Sequence, residues 1–234
     1  MRGGDTPAGY RFVRQDADGG RLYGASDSAE LRPPAPRLKP KPRPCIDWPS
    51  RHAAARSRII PGELDDFAEE VGLSGDAFDL LGVGVEDRAG SGWLFPERDA
   101  GGAVVGLVRR TPAGRKLALK GSRRGLTFRH PLPEADPVLV VEGPTDTAAA
   151  MQAGFTAVGR PSASGGGDLL AALLAGRDVV VLGENDRKPD GTWPGRDGAN
   201  RIANRLRRPS QSVRVMFPPA GVKDVRAWLA GGAA

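Results

Sequence analysis

The stretch Val138-Leu139-Val140-Val141-Glu142-Gly143-Pro144-Thr145-Asp146, continued by the alanine-rich residues 147–151, decides how the chain is read. Four consecutive apolar residues, three of them β-branched and none alternating with a polar one, predict a strand buried on both faces. The small residues behind Asp146 predict a helix packed closely on that strand, with Thr145 or Asp146 as its cap. Gly143-Pro144 breaks the strand, so the Glu142 carboxylate is left at its carboxyl end. In an open α/β sheet that is where ligands bind.

Downstream the rhythm repeats. Residues 155–158, 179–182 and 213–217 read as strands, and 168–175, 197–207 and 223–230 as helices. The result is a parallel sheet of four strands with crossover helices, and an order of 2-1-3-4 makes the first and third strands neighbours. Upstream, Leu64, Phe67, Ala68 and Val71 fall at helical spacing with Glu63, Asp65, Asp66, Glu69 and Glu70 between them, and a second short helix runs through Phe78 and Leu81. Residues 93–96, 104–109 and 117–120 read as a small antiparallel meander punctuated by glycine turns. Residues 1–57 show little periodicity, and LRPPAPRLKPKPRP at 31–44 holds six prolines and five basic residues without an acid. Such a segment is expected to stay extended and solvated, as a linker or as a basic arm beside nucleic-acid phosphates. Three parts follow: a disordered arm at 1–57, a small basic α+β subdomain at 58–135 and an α/β domain at 136–234.

The chain of 234 residues has 33 glycines and 21 prolines, a composition of long loops, and carries a net charge of +6 from 34 basic and 28 acidic residues. The single cysteine, Cys45, excludes an internal disulfide and a cysteine-cluster zinc site. It also favours a reducing compartment, and no apolar run reaches membrane-spanning length, so a cytoplasmic protein without a membrane contact is expected. Residues 100–133 contain no acid, while Arg109, Arg110, Arg115, Lys116, Lys120, Arg123, Arg124 and Arg129 are all basic. So many cations without counter-charges would repel one another unless an anion is expected, and phosphate binding is the preferred reading over a solvated edge hairpin.

Acids gather at the strand ends: Glu142, then Glu184-Asn185-Asp186, then Asp224. Residues two apart in an extended segment point the same way, so Glu184 and Asp186 can stand side by side with Glu142 facing them across the switch-point crevice. Carboxylates collected in this way repel unless a cation neutralises them. Magnesium, or manganese in its place, suits hard oxygen ligands and keeps waters for substrate phosphates.

Glu142-Gly143-x-x-Asp146 after a buried strand, acid-x-acid at Glu184 and Asp186 after a later one, and Asp224 near the end together resemble the Toprim domain of bacterial-type primases, topoisomerases and related nucleases. The resemblance covers residues 137–231. Phe95-Pro96-Glu97-Arg98-Asp99, Gly102-Ala103-Val104-Val105-Gly106 and Arg115-Lys116 are similar to the basic subdomain that precedes Toprim in primases. That extends the resemblance to about residues 63–231 and favours the primase branch of phage and plasmid type. It implies that Glu142 is the general acid/base or metal-organising residue with Asp146 in support, and that Glu184, Asp186 and Asp224 hold magnesium. Arg109, Arg110, Arg115, Lys116, Lys120 and Arg123 would meet the nucleotide triphosphate or the template backbone.

The sequence also departs from the family pattern. Glu184 stands where the family usually has aspartate, RKPDGTWPG at 187–195 separates Asp186 from the next helix, Asp224 is single where primases often carry a pair, and zinc-ribbon cysteines are lacking. The implied function is synthesis of short RNA primers on single-stranded DNA from ribonucleoside triphosphates, with a separate helicase or zinc-ribbon protein as partner. A Toprim nuclease using the same carboxylates and a non-catalytic nucleic-acid-binding module are the alternatives. The sequence has no Walker GxxxxGK[ST] motif for a helicase, and both tyrosines, Tyr10 and Tyr23, lie in the arm rather than where a topoisomerase nucleophile is needed.

Overall fold

The structure is a computed structural model that describes residues 10–15, 21–25, 46–87 and 92–231. The chain divides into two units, Met1–Arg43 and Pro44–Ala234. In the first, β1 (Tyr10–Gln15) and β2 (Arg21–Ala25) pair as an antiparallel hairpin. These strands correct the expectation of an arm without structure, whereas its proline-rich part at 31–44 lies outside the described residues.

The second unit opens with α1 (Trp48–Arg56), also within the expected arm. Asp47 caps it, its carboxylate accepting from Ser50 N at 3.0 Å and Ser50 Oγ at 2.6 Å, and Pro49 supplies the first-turn φ. Then come α2 (Glu63–Glu70), α3 (Gly75–Leu81), β3 (Gly84–Val85), β4 (Trp93–Arg98), β5 (Val104–Arg110) and β6 (Lys116–Ala118). The four strands form one antiparallel sheet in the order β3-β4-β5-β6, which contains the expected meander. Trp48 and Ala55 of α1 are buried with Leu94 and Leu107 of this sheet, so α1 belongs to the folded unit.

β7 (Thr127–Phe128), β8 (Val138–Glu142), α4 (Gly143–Gln152), β9 (Thr156–Arg160), α5 (Gly167–Leu173), β10 (Asp178–Leu182), α6 (Pro194–Leu206), β11 (Ser212–Met216) and α7 (Val225–Ala230) complete the chain. Their sheet runs β11-β10-β8-β9-β7. It has five strands rather than four: the parallel set keeps the anticipated order, and the two-residue β7 adds an antiparallel edge beside β9. β7 is too short to show a period, which is why the sequence did not reveal it.

β8 is buried on both faces. Val138 and Val140 pack with Leu170, Ile202 and Leu206 of the α5–α6 layer, and Leu139 and Val141 face Ala150 and Val225 of the α4–α7 layer. Ala148 of α4 also enters a third cluster with Phe67, Phe78 and Phe95, where Phe67 stacks on Trp93 at 4.6 Å between ring centroids. The helices α2 and α3 and strand β4 thus share a core with the parallel domain.

That shared core has a measurable consequence. Phe78→Ala removes a fully buried ring and should cost about 3–5 kcal/mol. In urea, tryptophan emission and far-ultraviolet circular dichroism should move to the same lower midpoint. Two separated transitions would instead show that residues 58–135 unfold as an independent domain.

Candidate active site

The carboxyl ends of β8 and β10 carry the acids that the sequence singled out. Glu142 is the last residue of β8, and Gly143 follows with φ of 77°, a left-handed conformation that lets α4 start at once. The helix therefore begins ahead of Thr145 and Asp146, and neither caps it. Asp146 is instead buried inside the first turn, 5% exposed. Glu184 follows β10 by two residues, and Asp224 is the N-cap of α7, where its Oδ1 accepts from Ala227 N at 2.9 Å.

Electrostatics shows that these groups face one another. Burial pushes the Asp146 carboxyl up to about 7, helped by Asp224 and Glu184 and opposed by Lys116 and Arg226. Glu184 is likewise pushed up to about 7 by burial, with Glu142, Asp224 and Asp186 adding to the effect and Lys223 opposing it. All five predicted acids are therefore coupled. Their bonding differs: Asp186 Oδ1 accepts from Gly195 N at 2.8 Å and its Oδ2 lies 3.7 Å from Lys188 Nζ, whereas Glu142 Oε2 is buried without a hydrogen bond. Gly195 has no room for a side chain, since a Cβ there would stand 2.7 Å from Asp186 Oδ1 and 2.9 Å from Glu184 Cβ.

The cation nearest Glu142 was not anticipated. Arg160 ends β9 in register with Glu142 and is completely buried. Its guanidinium donates to the carbonyls of Ala163 and Leu182 and lies 3.6 Å from Glu142 Oε2. A buried guanidinium needs such partners, because burial disfavours its charge and holds its pKa below the usual arginine range. An arginine closing a strand of small residues, TAVGR, was the available sign.

Glu142, Glu184 and Arg160 line one cavity of about 260 Å³ together with Lys116, Arg124 and Glu97. Lys116 comes from β6 and approaches Thr145 Oγ1 to 3.4 Å. Although the residue as a whole is exposed, burial of its ammonium holds it below the usual lysine range, with Asp146 pulling the other way. Of the six predicted phosphate contacts, only Lys116 reaches this cavity. Arg109 is engaged by Glu86 at 2.9 Å, and Arg110 lies over the Phe67 ring at 6.0 Å. Arg115, Lys120 and Arg123 are exposed on the surface. The acid-free run at 100–133 is thus partly balanced from outside, by Glu86 on Arg109 and by the buried Glu97, which accepts from Arg124 Nε at 3.0 Å.

Asn185 fixes the acids relative to one another. Its Nδ2 donates to the carbonyls of Pro218 at 2.9 Å, Pro219 at 3.2 Å and Val222 at 2.9 Å, and its Oδ1 accepts from Arg196 Nη2 at 2.8 Å. Its backbone N–H donates to Lys223 O at 2.7 Å. The segment bearing Glu184 and Asp186 is thereby tied to the one bearing Asp224. The Arg196 guanidinium carbon lies over the Trp193 ring, 4.1 Å from its centroid, which holds the start of α6 beside them.

Among the described residues, no three His, Cys, Asp or Glu groups converge as a ready-made ion site. Magnesium demands less, since it binds through one or two carboxylates and substrate phosphates. The unbonded Glu142 Oε2 and the strained Glu184 carboxyl, both lining the cavity, fit that requirement.

No family model matches the sequence, and no curated protein does. The E. coli primase catalytic core, however, aligns at a TM-score of 0.56 with 20% identity, over 79% of this chain and 74% of that one. The fold is that of a primase catalytic core. A DnaG primase catalytic domain bound to single-stranded DNA aligns over 80% of this chain and 74% of that one, at a TM-score of 0.59 and 20% identity. The primase fragment of the bacteriophage T7 primase-helicase aligns over 70% and 68% of the two chains, at 0.53 and 17%. No helix among the described residues is long and apolar enough to cross a membrane.

Burial of Asp146, with the neighbouring carboxylates adding to it, sets a pH dependence. Asp146 has a folded pKa of about 7 against an ordinary 3.8, so the folded state holds its proton more tightly than the unfolded chain does. Its contribution to stability is therefore lost as the pH rises between those values, and the penalty is complete above the upper one. In the presence of a chelator, Asp146→Asn should stabilise the protein at pH 8 by on the order of 2 kcal/mol and hardly at all at pH 4. Thermal melts at the two pH values check this, and an equal effect at both would show that the charge is not in conflict.

Proposed function

We propose that the protein is a primase-like nucleotidyltransferase that binds single-stranded DNA and joins ribonucleotides into short primers. The observation that carries the reading is the cavity in which the coupled carboxylates Glu142 and Glu184 face Lys116, Arg124 and Arg160, on a fold shared with primase catalytic cores. A cavity of this size is smaller than sites that enclose a whole drug-sized ligand, so it suits the phosphate end of a nucleotide.

The residues divide the work. Lys116 and Arg124 would hold a triphosphate, and the Glu142 carboxylate, part-exposed in the cavity, would take the proton of an attacking 3′-hydroxyl. Arg160 orients Glu142 from below, and Asp186, fixed by Gly195 N–H, keeps the loop carrying Glu184 in place. Magnesium or manganese, held by Glu142 and Glu184 with Asp224 close by, would supply charge neutralisation at the transferring phosphate. Asp146 supports this set from within α4. The likeness to a primase domain bound to single-stranded DNA supports that template class, and the likeness to the phage primase-helicase fragment supports a helicase as partner.

Incubation with single-stranded DNA, labelled ribonucleotides and magnesium tests the reading. New oligomers are expected, and shortened DNA would identify a nuclease instead. Glu142→Gln keeps shape and loses charge, so turnover should fall by about 10²-fold or more with nucleotide binding retained. Glu184→Ala should also abolish the rise in melting temperature that magnesium produces in the parent, a readout independent of activity. An unchanged magnesium response would remove Glu184 from the ion's ligands.

A further inference from the structure

Glu97 lines the cavity of the strand-end acids but takes no part in the chemistry assigned to it above. It sits inside β4 beside the buried Leu94 and Phe95, opposite Gly106 in register, and is only 2% exposed. A carboxylate in such a place has lost its hydration, and an apolar side chain of similar volume would serve the fold as well. Its hydrogen bonds go to one short segment. Oε1 and Oε2 both accept from Arg124 Nε at 3.0 Å, Arg124 Nη2 lies 2.8 Å from Oε1, and Gly125 N donates to Oε2 at 3.3 Å.

Arg124 is thereby fixed at both ends of its side chain. Its backbone is held on either side, since Arg123 N donates to Val105 O at 3.1 Å, and Arg98 and Leu126 exchange both backbone hydrogen bonds at 2.8 Å. Gly125 lies so close to β4 that a Cβ there would stand 2.6 Å from Arg98 O. At the guanidinium, Nη2 also donates to Pro161 O at 3.0 Å, next to Arg160 at the end of β9. Nε and Nη2 are thus occupied, and among the described residues Nη1 is the nitrogen left for a ligand on a side chain that is 51% exposed. A half-exposed arginine ordinarily loses rotamer freedom when it binds, and here that loss has already been met in folding. We propose that Glu97 is a positioning residue, which holds Arg124 in one orientation so that Nη1 meets the phosphate end of the nucleotide. The inference rests on the nucleotide site proposed above. The charge of Glu97 works against that site, because a carboxylate in the cavity wall repels phosphate, so positioning and bare charge predict opposite effects of its removal.

Calorimetric titration of the full chain with ATP at constant magnesium tests it. Glu97→Gln should weaken ATP binding by about 10-fold although it removes a negative charge, and Arg124→Ala by at least as much. The double variant should bind no more weakly than Arg124→Ala alone, since Glu97 acts only through that arginine. Affinity of Glu97→Gln for oligo(dT) should stay parental, and in primer synthesis its KM for the ribonucleotide should rise with kcat nearly unchanged. Arg124→Lys alters only an exposed side chain, so it keeps the fold whatever position 97 tolerates. It should also lose ATP affinity by on the order of 10-fold, because one ammonium cannot serve carboxylate and phosphate together. ATP binding by Glu97→Gln at or above the parental affinity would overturn the positioning role. So would additive losses in the double variant, a parallel fall in oligo(dT) affinity, or parental ATP affinity in Arg124→Lys. A parent that binds ATP with this dependence on Glu97 but makes no primers would keep the role of Glu97 and remove only the polymerase reading, whereas a parent that binds no ATP would overturn both.

Discussion

The organisation of this protein follows from one constraint: β8 is covered on both faces, so its only access to solvent is at its ends. Val138 to Val141 contribute apolar side chains alternately to the α5–α6 and α4–α7 layers, and the next residue is the first able to carry a charge. The same holds for β10, which is why Glu184 appears just past Leu182. Burial of parallel strands thus converts directly into a row of polar positions along one rim of the sheet.

Placing acids on that rim brings an opposing cost, and the surrounding structure meets it unevenly. Arg160 lies against Glu142 and Asp186 is held by a backbone donor, but burial and neighbouring acids outweigh the lysines near Asp146 and Glu184 and push both carboxyls up to about 7. A purely structural cluster would have been expected to pair all of them. Carboxyls perturbed in this way at a strand-end cavity are the pattern of a functional site rather than of a solvated surface.

The parallel sheet, its strand order, the meander and the strand-end acids were legible because each depends on local pattern: apolar runs, 3.6-residue spacing, and acids next to glycine breaks. What could not be read depends on partners distant in sequence. Arg109 is met by Glu86 and Arg124 by Glu97, so an acid-free stretch of 34 positions was not an uncompensated one. Arg160 was missed for the same reason, since its burial is set by Leu182, Ala163 and Glu142 on neighbouring segments. The helix α1 has a clear Asp47 cap but little amphipathic pattern, and it is the sheet beneath Trp48 and Ala55 that makes it part of the fold.

The tie made by Asn185 bears on how this chain tolerates length changes. Between Asp186 and α6, the excursion RKPDGTWPG closes on itself through Lys188 N to Thr192 O at 2.9 Å and Gly191 N to Lys188 O at 2.9 Å. Because Asn185 grips the 218–223 segment and Asp186 grips Gly195, the excursion leaves and re-enters at two clamped points. Residues can be added or lost at its tip without altering the separation of the strand-end acids. Loop length here is free to drift, and the tip is a surface on which a lineage could build a new contact while the chemistry beneath stays where it was.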